Sequence, residues 1–212
     1  MKLPFSKVFC INLERRPDRL AQAKSEFEKH GFLDQVEFIK AVDGEKLDIP
    51  NVKTLDNGNS RPETGCILSH LKVIHSAQSK GLDNYLIFED DVELLDNFGP
   101  LLSEFIKQVP QDWDFLYFGG NHQGGFAHIS ENVARIYKTY TTHAFAVNHT
   151  VFNEVEDALV RASTNEGGKT DVSISLLHKK FNSYVFRPHL AFQRSGYSDI
   201  TQREENYDFL KK

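Results

Sequence analysis

The sequence predicts one α/β domain built on a largely parallel β-sheet. Its 212 residues suit a single domain. Hydrophobic residues make up 40% of the chain and charged residues 26%, which is enough apolar surface for a packed core. Short apolar runs alternate along the chain with segments in which apolar residues recur at helical spacing. This alternation is typical of parallel strands joined by helices.

The first elements follow from local chemistry. Residues 7–12 form a short, mostly apolar run, which suits a strand buried on both faces. Pro17 opens the next segment, and the first turn of a helix tolerates proline because its missing N–H would have no partner there. Gly31 ends that predicted helix. A strand over 36–40 and a polar, turn-rich loop over 45–62 follow.

The rest of the chain continues the alternation. Apolar residues at helical spacing predict helices, and compact apolar runs predict strands. The predicted elements are a helix over 63–79, a strand over 85–88, a helix over 97–107, strands over 115–118 and 144–147, helices over 149–162 and 171–180, and a strand over 184–186.

Composition excludes several classes of protein. The chain has 25 Lys and Arg against 30 Asp and Glu, a formal charge of −5, so it lacks the basic surface of a general nucleic-acid binder. It has no apolar stretch near the ~20 residues that span a bilayer. Its first residues lack the pattern of a secretory signal. Two cysteines, Cys10 and Cys66, make no disulfide framework, so we expect a cytoplasmic protein.

Three acidic residues directly follow the strand over 85–88. Glu89, Asp90 and Asp91 repel one another, and a divalent cation, which prefers oxygen ligands, would relieve that repulsion. Side-chain alternation along a strand puts Glu89 and Asp91 on one side and Asp90 on the other. In open α/β sheets ligands bind at the carboxyl ends of strands. The pattern therefore predicts a metal-binding pair; a solvated turn that caps the next helix is the alternative.

Arg15, Arg16 and Arg19 surround the predicted start of the first helix. A helix N-terminus favours anions, and arginine binds phosphate through two parallel hydrogen bonds. These residues indicate a nucleotide or pyrophosphate site, with simple solvation of the helix start as the alternative. The sequence has neither the glycine-rich dinucleotide fingerprint nor a Walker loop.

Two further positions carry reactive side chains. Cys66 and His70 lie one helical turn apart, a spacing that allows a nucleophile and its base, but no third orienting group is evident and burial of the cysteine as core is favoured. Asp171 follows the flexible segment 167–170 at the start of a predicted helix. It is either a helix cap or a carboxylate placed to act as general base.

In this order the motifs resemble glycosyltransferase family 25, which includes bacterial lipooligosaccharide glycosyltransferases and collagen galactosyltransferase domains. The resemblance runs from Val8 to about Ile200. Its matching segments are Ile11-Asn12-Leu13, Arg15-Arg16-Pro17-Asp18-Arg19, Ala41-Val42-Asp43-Gly44, Gly65-Cys66, Ser69-His70-Leu71, Glu89-Asp90-Asp91-Val92, Thr142-His143-Ala144-Phe145-Ala146-Val147, Asp171, Pro188, Gln193 and Ser198-Asp199-Ile200.

The resemblance implies a GT-A type domain with a Rossmann-like, mostly parallel sheet flanked by helices. It implies inverting transfer of a hexose, galactose or glucose, from a UDP-sugar to a hydroxyl of a glycan or glycoconjugate, assisted by Mn²⁺ or Mg²⁺. One domain would span 1–212: a donor- and metal-binding half (1–120), an acceptor and catalytic half (121–200) and a tail (201–212). The loops over 45–62 and 121–130 would shape the acceptor site.

The same resemblance assigns site residues. Asp171 would be the catalytic base. Glu89 and Asp91 would hold the metal, with Gln193 or the neighbouring His189 completing the metal or diphosphate shell. The predicted donor-binding residues are Asn12, Leu13, Arg15, Arg16, Arg19, Asp43, Gly44, Ser69, His70, Asp90, Gln193 and Ser198.

Two alternatives to the enzyme stay open. A non-catalytic nucleotide-sugar or glycan-binding module would keep the donor site and need no base. A metal-dependent phosphoesterase would need a second cluster of acids or histidines, which the sequence lacks. We expect no nucleic-acid partner and no membrane span. A lipid-linked acceptor would bring the protein to a membrane surface, although no basic amphipathic helix supports that association.

Overall fold

The computed structural model describes residues 1–48, 59–164 and 168–211. Its helices are α1 Pro17–Lys29, α2 Arg61–Ser79, α3 Phe98–Phe105, α4 Phe152–Ser163 and α5 Thr170–Ser175. Its strands are β1 Lys7–Asn12, β2 Val36–Lys40, β3 Asn84–Glu89, β4 Val92–Leu94, β5 Phe115–Tyr117, β6 Asn121–His122, β7 Phe126–His128, β8 Val133–Ile136, β9 Thr139–Tyr140, β10 Ala144–Asn148, β11 Ser183–Phe186, β12 Ala191–Gln193, β13 Gly196–Ser198 and β14 Arg203–Glu205.

Eight strands form one central sheet in the order β2-β1-β3-β10-β5-β11-β8-β7. β1 pairs in parallel with β2 and β3, and β11 pairs in parallel with β5. β10 runs antiparallel between β3 and β5, and β8 runs antiparallel between β11 and β7. Six of these eight strands therefore run in one direction, which confirms the predicted α/β fold with a mostly parallel sheet.

Helices cover both faces of the sheet. Phe9 of β1 and Ile87 of β3 belong to a hydrophobic cluster with residues of α2 and α4. Their chain neighbours Cys10 and Phe88 belong to a second cluster with residues of α1 and α3. Side chains alternate across a strand, so a run that is apolar at every position fills both cores at once. This arrangement fixes the carboxyl ends of β1 and β3 side by side.

The start of α2 is held in two ways. Ser60 and Glu63 form a capping box, in which the Ser60 hydroxyl accepts from the Glu63 N–H and the Glu63 carboxylate accepts from the Ser60 N–H. A Cβ atom on Gly65 would lie 2.7 Å from the carbonyl oxygen of Val42, so only glycine permits this approach. The first turns of α2 therefore lie directly against the turn at Gly44.

The structure corrects the extent of several predicted elements. The helix predicted over 171–180 ends at Ser175, and the one predicted over 97–107 gives way to a 3₁₀ turn after Phe105. Strands β4, β6–β9 and β12–β14, each of two to four residues, were not predicted. Within the predicted loop 45–62, residues 49–58 lie outside the described part of the chain.

The predicted tail is folded onto the domain. It contributes β14 and a 3₁₀ turn over Asp208–Lys211, in which Leu210 is buried. In the parts of the chain that the structure describes, no helix combines the length and the apolar character that crossing a bilayer requires.

Candidate functional site

A cavity of about 520 Å³ opens at the carboxyl ends of β1 and β3. Its walls come from the turn after β1, the acidic turn after β3, the first half of α2 and the start of α5. In sheets of this type that edge is where ligands bind. Most of the predicted site residues line this cavity.

The three acidic residues all line the cavity. β3 ends at Glu89, and Asp90 and Asp91 form a turn before β4. Arg19 Nη1 lies 3.1 Å from Asp90 Oδ1 and 3.4 Å from Asp91 Oδ2. The prediction that Asp90 points away from Asp91 is therefore wrong, because side-chain alternation stops where the strand turns.

Glu89 is held by two side chains that are distant from it in sequence, Thr142 and His70. Thr142 Oγ1 donates to Glu89 Oε1 over 2.6 Å, and His70 Nε2 lies 3.5 Å from the same oxygen. Burial alone would raise the pKa of Glu89, but His70 and Thr142 outweigh burial and hold that pKa below its ordinary value. Of the three acids, Glu89 is therefore the one whose contacts lower its pKa.

Asp91 has the opposite character. Burial and the charge of Glu89 raise its pKa, with only partial relief from Arg19. Gln193 Nε2 donates to Asp91 Oδ2 over 3.1 Å, whereas Asp91 Oδ1 is buried with no hydrogen-bond partner among the described residues. A buried carboxylate oxygen without a donor is a place where a cation would be stabilised.

The lining of the cavity is acidic. Among the described residues it carries three basic side chains and seven acidic ones. No three His, Cys, Asp or Glu side chains of that part of the chain are grouped as a complete ligand set. Mg²⁺ and similar ions are commonly held by one or two carboxylates, with water and substrate phosphates filling the other positions. Glu89 and Asp91 fit such a two-carboxylate site.

The arginines of the first turn are already paired with carboxylates. Arg15 contacts Asp199 and lies 3.3 Å from Asp43 Oδ2. Arg16 contacts Asp199 and also Asp18, at 2.8 Å. Arg15 lines the cavity, whereas Arg16 does not. The two arginines that were predicted to bind phosphate are therefore in ion pairs, and the carboxylate that they share belongs to Asp199, near the C-terminus.

Asp171 lines the cavity from α5. Its Oδ2 accepts from the Thr141 N–H at 3.1 Å, and its Oδ1 accepts from the Val172 N–H at 2.8 Å. Thr141 adopts a φ of +70°, which is rare for a residue with a branched side chain. Two backbone donors, one on each oxygen, thus fix this carboxylate at the lining of the cavity.

Cys66 and His70 do not form a pair. Thr170 Oγ1 donates to Cys66 Sγ over 3.2 Å, and burial raises the pKa of the Cys66 thiol to about 12. His70 is directed at Glu89 instead. A thiol that is protonated at neutral pH is a poor nucleophile, which argues against a Cys66 nucleophile. The expectation that Cys66 is core is wrong, because the residue is only partly buried and lines the cavity.

Four other predicted donor residues, Leu13, Gly44, Ser69 and Ser198, also line the cavity. Ser69 Oγ accepts from the Val42 N–H at 2.8 Å, so Ser69 also fixes the turn after β2.

Besides Arg16, three predicted residues lie outside the lining. Asn12 Nδ2 donates to Asp90 Oδ2 over 2.7 Å and so orients that carboxylate from behind. Asp43 caps the 3₁₀ turn that follows it. His189 contacts His122, with 2.9 Å between their Nε2 atoms, and the structure does not bring it to Glu89 and Asp91. Gln193 is the last residue of β12, whereas His189 lies before the start of that strand.

Sequence reasoning missed two groups of lining residues. Thr141 and Thr142 precede β10, and their role depends on the reversed direction of that strand. Tyr207 and Phe209 come from the predicted tail. The only sequence signal for the second group was the presence of aromatic residues in an otherwise polar stretch.

Comparison with solved structures gives matches over most of the chain. A glycosyltransferase involved in the glycosylation of the major capsid of PBCV-1 aligns with a TM-score of 0.49 and 10% sequence identity, covering 87% of this chain and 93% of that one.

Sequence relatives are more informative. A Mus musculus protein named inactive glycosyltransferase 25 family member 3 is 32% identical over 134 residues, covering 56% of this chain and 22% of that protein. Procollagen galactosyltransferase 2 of Homo sapiens is 31% identical over 134 residues, covering 56% and 21% respectively. The chain therefore spans about a fifth of the length of these relatives.

A family model described as glycosyltransferase family 25 (LPS biosynthesis protein) matches residues 5–171. That match includes the turn after β1, the acidic turn after β3 and Asp171 at its final position. Because the match covers most of the chain, the protein belongs to glycosyltransferase family 25.

Proposed function

We propose that this chain transfers a hexose, galactose or glucose, from a UDP-sugar to a hydroxyl of a glycan or glycoconjugate, with inversion and with Mn²⁺ or Mg²⁺. Family membership supports glycosyl transfer. The observation that carries the metal-assisted form is the buried acidic turn, where Arg19 is the one cation that the structure places on Asp90 and Asp91 among the described residues. A donor diphosphate would be repelled there without a further cation.

Glu89 and Asp91 would hold the metal, which when bound acts as a Lewis acid on the departing diphosphate. His70 and Thr142 keep the Glu89 carboxylate ionised and oriented. Asn12 and Arg19 both donate to the neighbouring Asp90 carboxylate and hold it in place. The volume of about 520 Å³ lies within the range of small-molecule sites.

Asp171 would receive the proton of the acceptor hydroxyl. Two backbone donors fix its carboxylate, which favours an in-line approach of that hydroxyl to the anomeric carbon. A carboxylate is a weak base, and general-base catalysis by a positioned group contributes roughly 10²–10⁴ in rate. This role predicts that changes at Asp171 act on turnover and leave donor binding intact.

A non-catalytic nucleotide-sugar-binding module is the second candidate, because some of the relatives are named inactive. Such a module would keep the donor site and would not use Asp171 as a base. We also propose that the acceptor is a glycan or glycoconjugate and that the protein is cytoplasmic. A lipid-linked acceptor would add peripheral association with a membrane.

The experiment is a titration of UDP with and without Mn²⁺, followed by turnover of UDP-galactose and UDP-glucose. Wild-type protein, Asp91→Asn and Asp96→Asn are compared; Asp96 is an exposed acid that pairs with Lys29. We expect Mn²⁺-dependent binding in wild type and Asp96→Asn, and its loss in Asp91→Asn. Equal Mn²⁺-dependent binding of UDP by all three proteins would contradict a metal-binding role for Asp91. Binding without hydrolysis or transfer of either sugar would favour the module.

A further inference from the structure

The C-terminal segment, defined here as Ser195–Lys211, lies beyond the residues that the family model matches. It begins with the hairpin β13–β14 and ends in the 3₁₀ turn over Asp208–Lys211. The Tyr207 N–H donates to Ser195 Oγ over 2.9 Å, and Lys211 Nζ lies 2.8 Å from Glu93 Oε2. With Leu210 buried, the far end of the segment is anchored to the domain.

The hairpin is attached to the first turn after β1. Asp199, the first residue of the hairpin loop, accepts hydrogen bonds from both Arg15 and Arg16. Arg19 Nη2 donates to the backbone carbonyl of Tyr197 over 2.7 Å. At the tip, Gln202 Nε2 donates to Glu45 Oε1 over 3.3 Å. All three arginines of the predicted anion site therefore contact this segment.

Asp199 is the centre of that attachment. Its side chain is 11% exposed, although it lies in a surface hairpin. Burial would raise the pKa of Asp199, but the hydrogen bonds from Arg15 and Arg16 outweigh burial and lower it. Charge-assisted bonds to two guanidinium groups are among the stronger polar contacts in proteins. The segment is therefore closed onto the cavity by an ionised carboxylate.

This closure brings two aromatic side chains to the cavity. Tyr207 and Phe209 line it, although Phe209 is still half exposed. Burial, followed by the negative charges of Asp91, Glu205 and Glu89, raises the pKa of Tyr207 to about 12. Tyr207 shares the lining of this cavity with Glu89 and Asp91. An aromatic wall beside a polar site suits the ring of a sugar or a nucleobase.

We propose that Asp199 is a positioning residue whose ion pairs with Arg15 and Arg16 hold the C-terminal segment across the cavity, so that Tyr207 and Phe209 form one wall of the sugar-nucleotide site. The identity of the ligand rests on the proposed function, whereas the attachment itself does not. In the competing interpretation, the Asp199 carboxylate takes the position on Arg15 and Arg16 that the donor diphosphate would bind. It must then dissociate from both arginines when the donor binds.

One variant separates these interpretations, because they predict opposite signs. Asp199→Asn is compared with wild type and with Glu204→Gln, a matched loss of an exposed carboxylate on the same hairpin. Hydrogen exchange over 195–211, thermal unfolding and donor kinetics with Mn²⁺ are measured for each protein. We expect faster exchange in Asp199→Asn and a KM for UDP-sugar raised about tenfold, with kcat within about twofold. Phe209→Ala should raise KM while exchange stays at the wild-type rate.

Unchanged exchange over 195–211 in Asp199→Asn would overturn the positioning role. Tighter UDP binding by that variant would also overturn it and would favour displacement by the diphosphate. A global loss of stability is recognised by thermal unfolding, and Asp199→Glu, which keeps the charge, should then restore exchange and KM toward wild type. If wild-type protein binds no nucleotide, the proposed function fails, and the exchange comparison alone decides whether Asp199 holds the segment.

Discussion

Arg19 Nη1 lies 3.1 Å from Asp90 Oδ1, and this contact joins the first helix to the acidic turn after β3. Both side chains are largely buried, with 17% and 9% of their surface exposed. Removing one partner of a buried pair leaves a charge without compensation, which typically costs about 3 kcal/mol or more. The stability of the acidic turn therefore depends on this arginine.

We expect Arg19→Gln to lower the free energy of unfolding by about 3 kcal/mol at pH 7. Burial raises the pKa of both Asp90 and Asp91, so these groups take up protons more readily than usual on acidification. The loss should therefore shrink as the pH falls, and Mn²⁺ should offset part of it. Urea denaturation at pH 7 and pH 5 measures the effect. Lys29→Gln, which removes an exposed ion pair, is the control; an equal loss in both variants would contradict the prediction.

Thr142→Val should weaken metal binding without changing a proposed ligand. The substitution removes the hydroxyl that donates to Glu89 Oε1 over 2.6 Å. Loss of such a supporting hydrogen bond typically costs 10- to 100-fold in metal affinity. Titration of Mn²⁺ in the presence of UDP measures this change. Thr142→Ser keeps the hydroxyl and should retain most of the affinity; if serine and valine behave alike, Thr142 acts through packing alone.

Asp171→Asn should lower kcat by roughly 10²- to 10⁴-fold and leave the affinity for UDP unchanged. The amide keeps the shape of the side chain but cannot take the acceptor proton. Asp157→Asn, an exposed acid on α4, is the matched control. The measurements are donor–acceptor turnover and UDP titration. Loss of UDP binding in Asp171→Asn would instead place this residue in the donor site.

The long elements were predictable because each is specified locally. β1 and β3 are apolar at successive positions, and α2 carries its own capping box. These elements set the sheet edge, and the acidic turn after β3 was therefore placed correctly. The direction of β10 was not predicted, since an apolar strand has the same pattern whichever way it runs.

The rest of the site depends on contacts between distant residues. Arg16 and Asp199 are separated by 183 positions, and no local pattern reports their pairing. The same holds for Thr142 and Glu89, 53 positions apart. Such pairs arise only once the sheet order is fixed, so the sequence predicted the acids and the arginines but not which carboxylate each arginine contacts.

His122 and His189 are in contact, with 2.9 Å between their Nε2 atoms. Burial, followed by nearby positive charge, lowers the pKa of His122 to about 3 and that of His189 to about 4. The unfolded chain binds protons below about pH 6.5 while the folded protein does not, so stability falls as the pH drops through that value. At pH 5 each histidine contributes a loss of about 2 kcal/mol relative to pH 7.

We expect His189→Gln to remove its share of this pH dependence, so that the drop in unfolding free energy between pH 7 and pH 5 becomes about 2 kcal/mol smaller than in wild type. His128→Gln, a substitution of an exposed histidine on β7, is the matched control and should leave the drop unchanged. Urea denaturation at the two pH values measures both. If the unfolding free energy of His189→Gln falls between pH 7 and pH 5 by as much as that of wild type, then the His189 imidazole also takes up a proton in the folded protein.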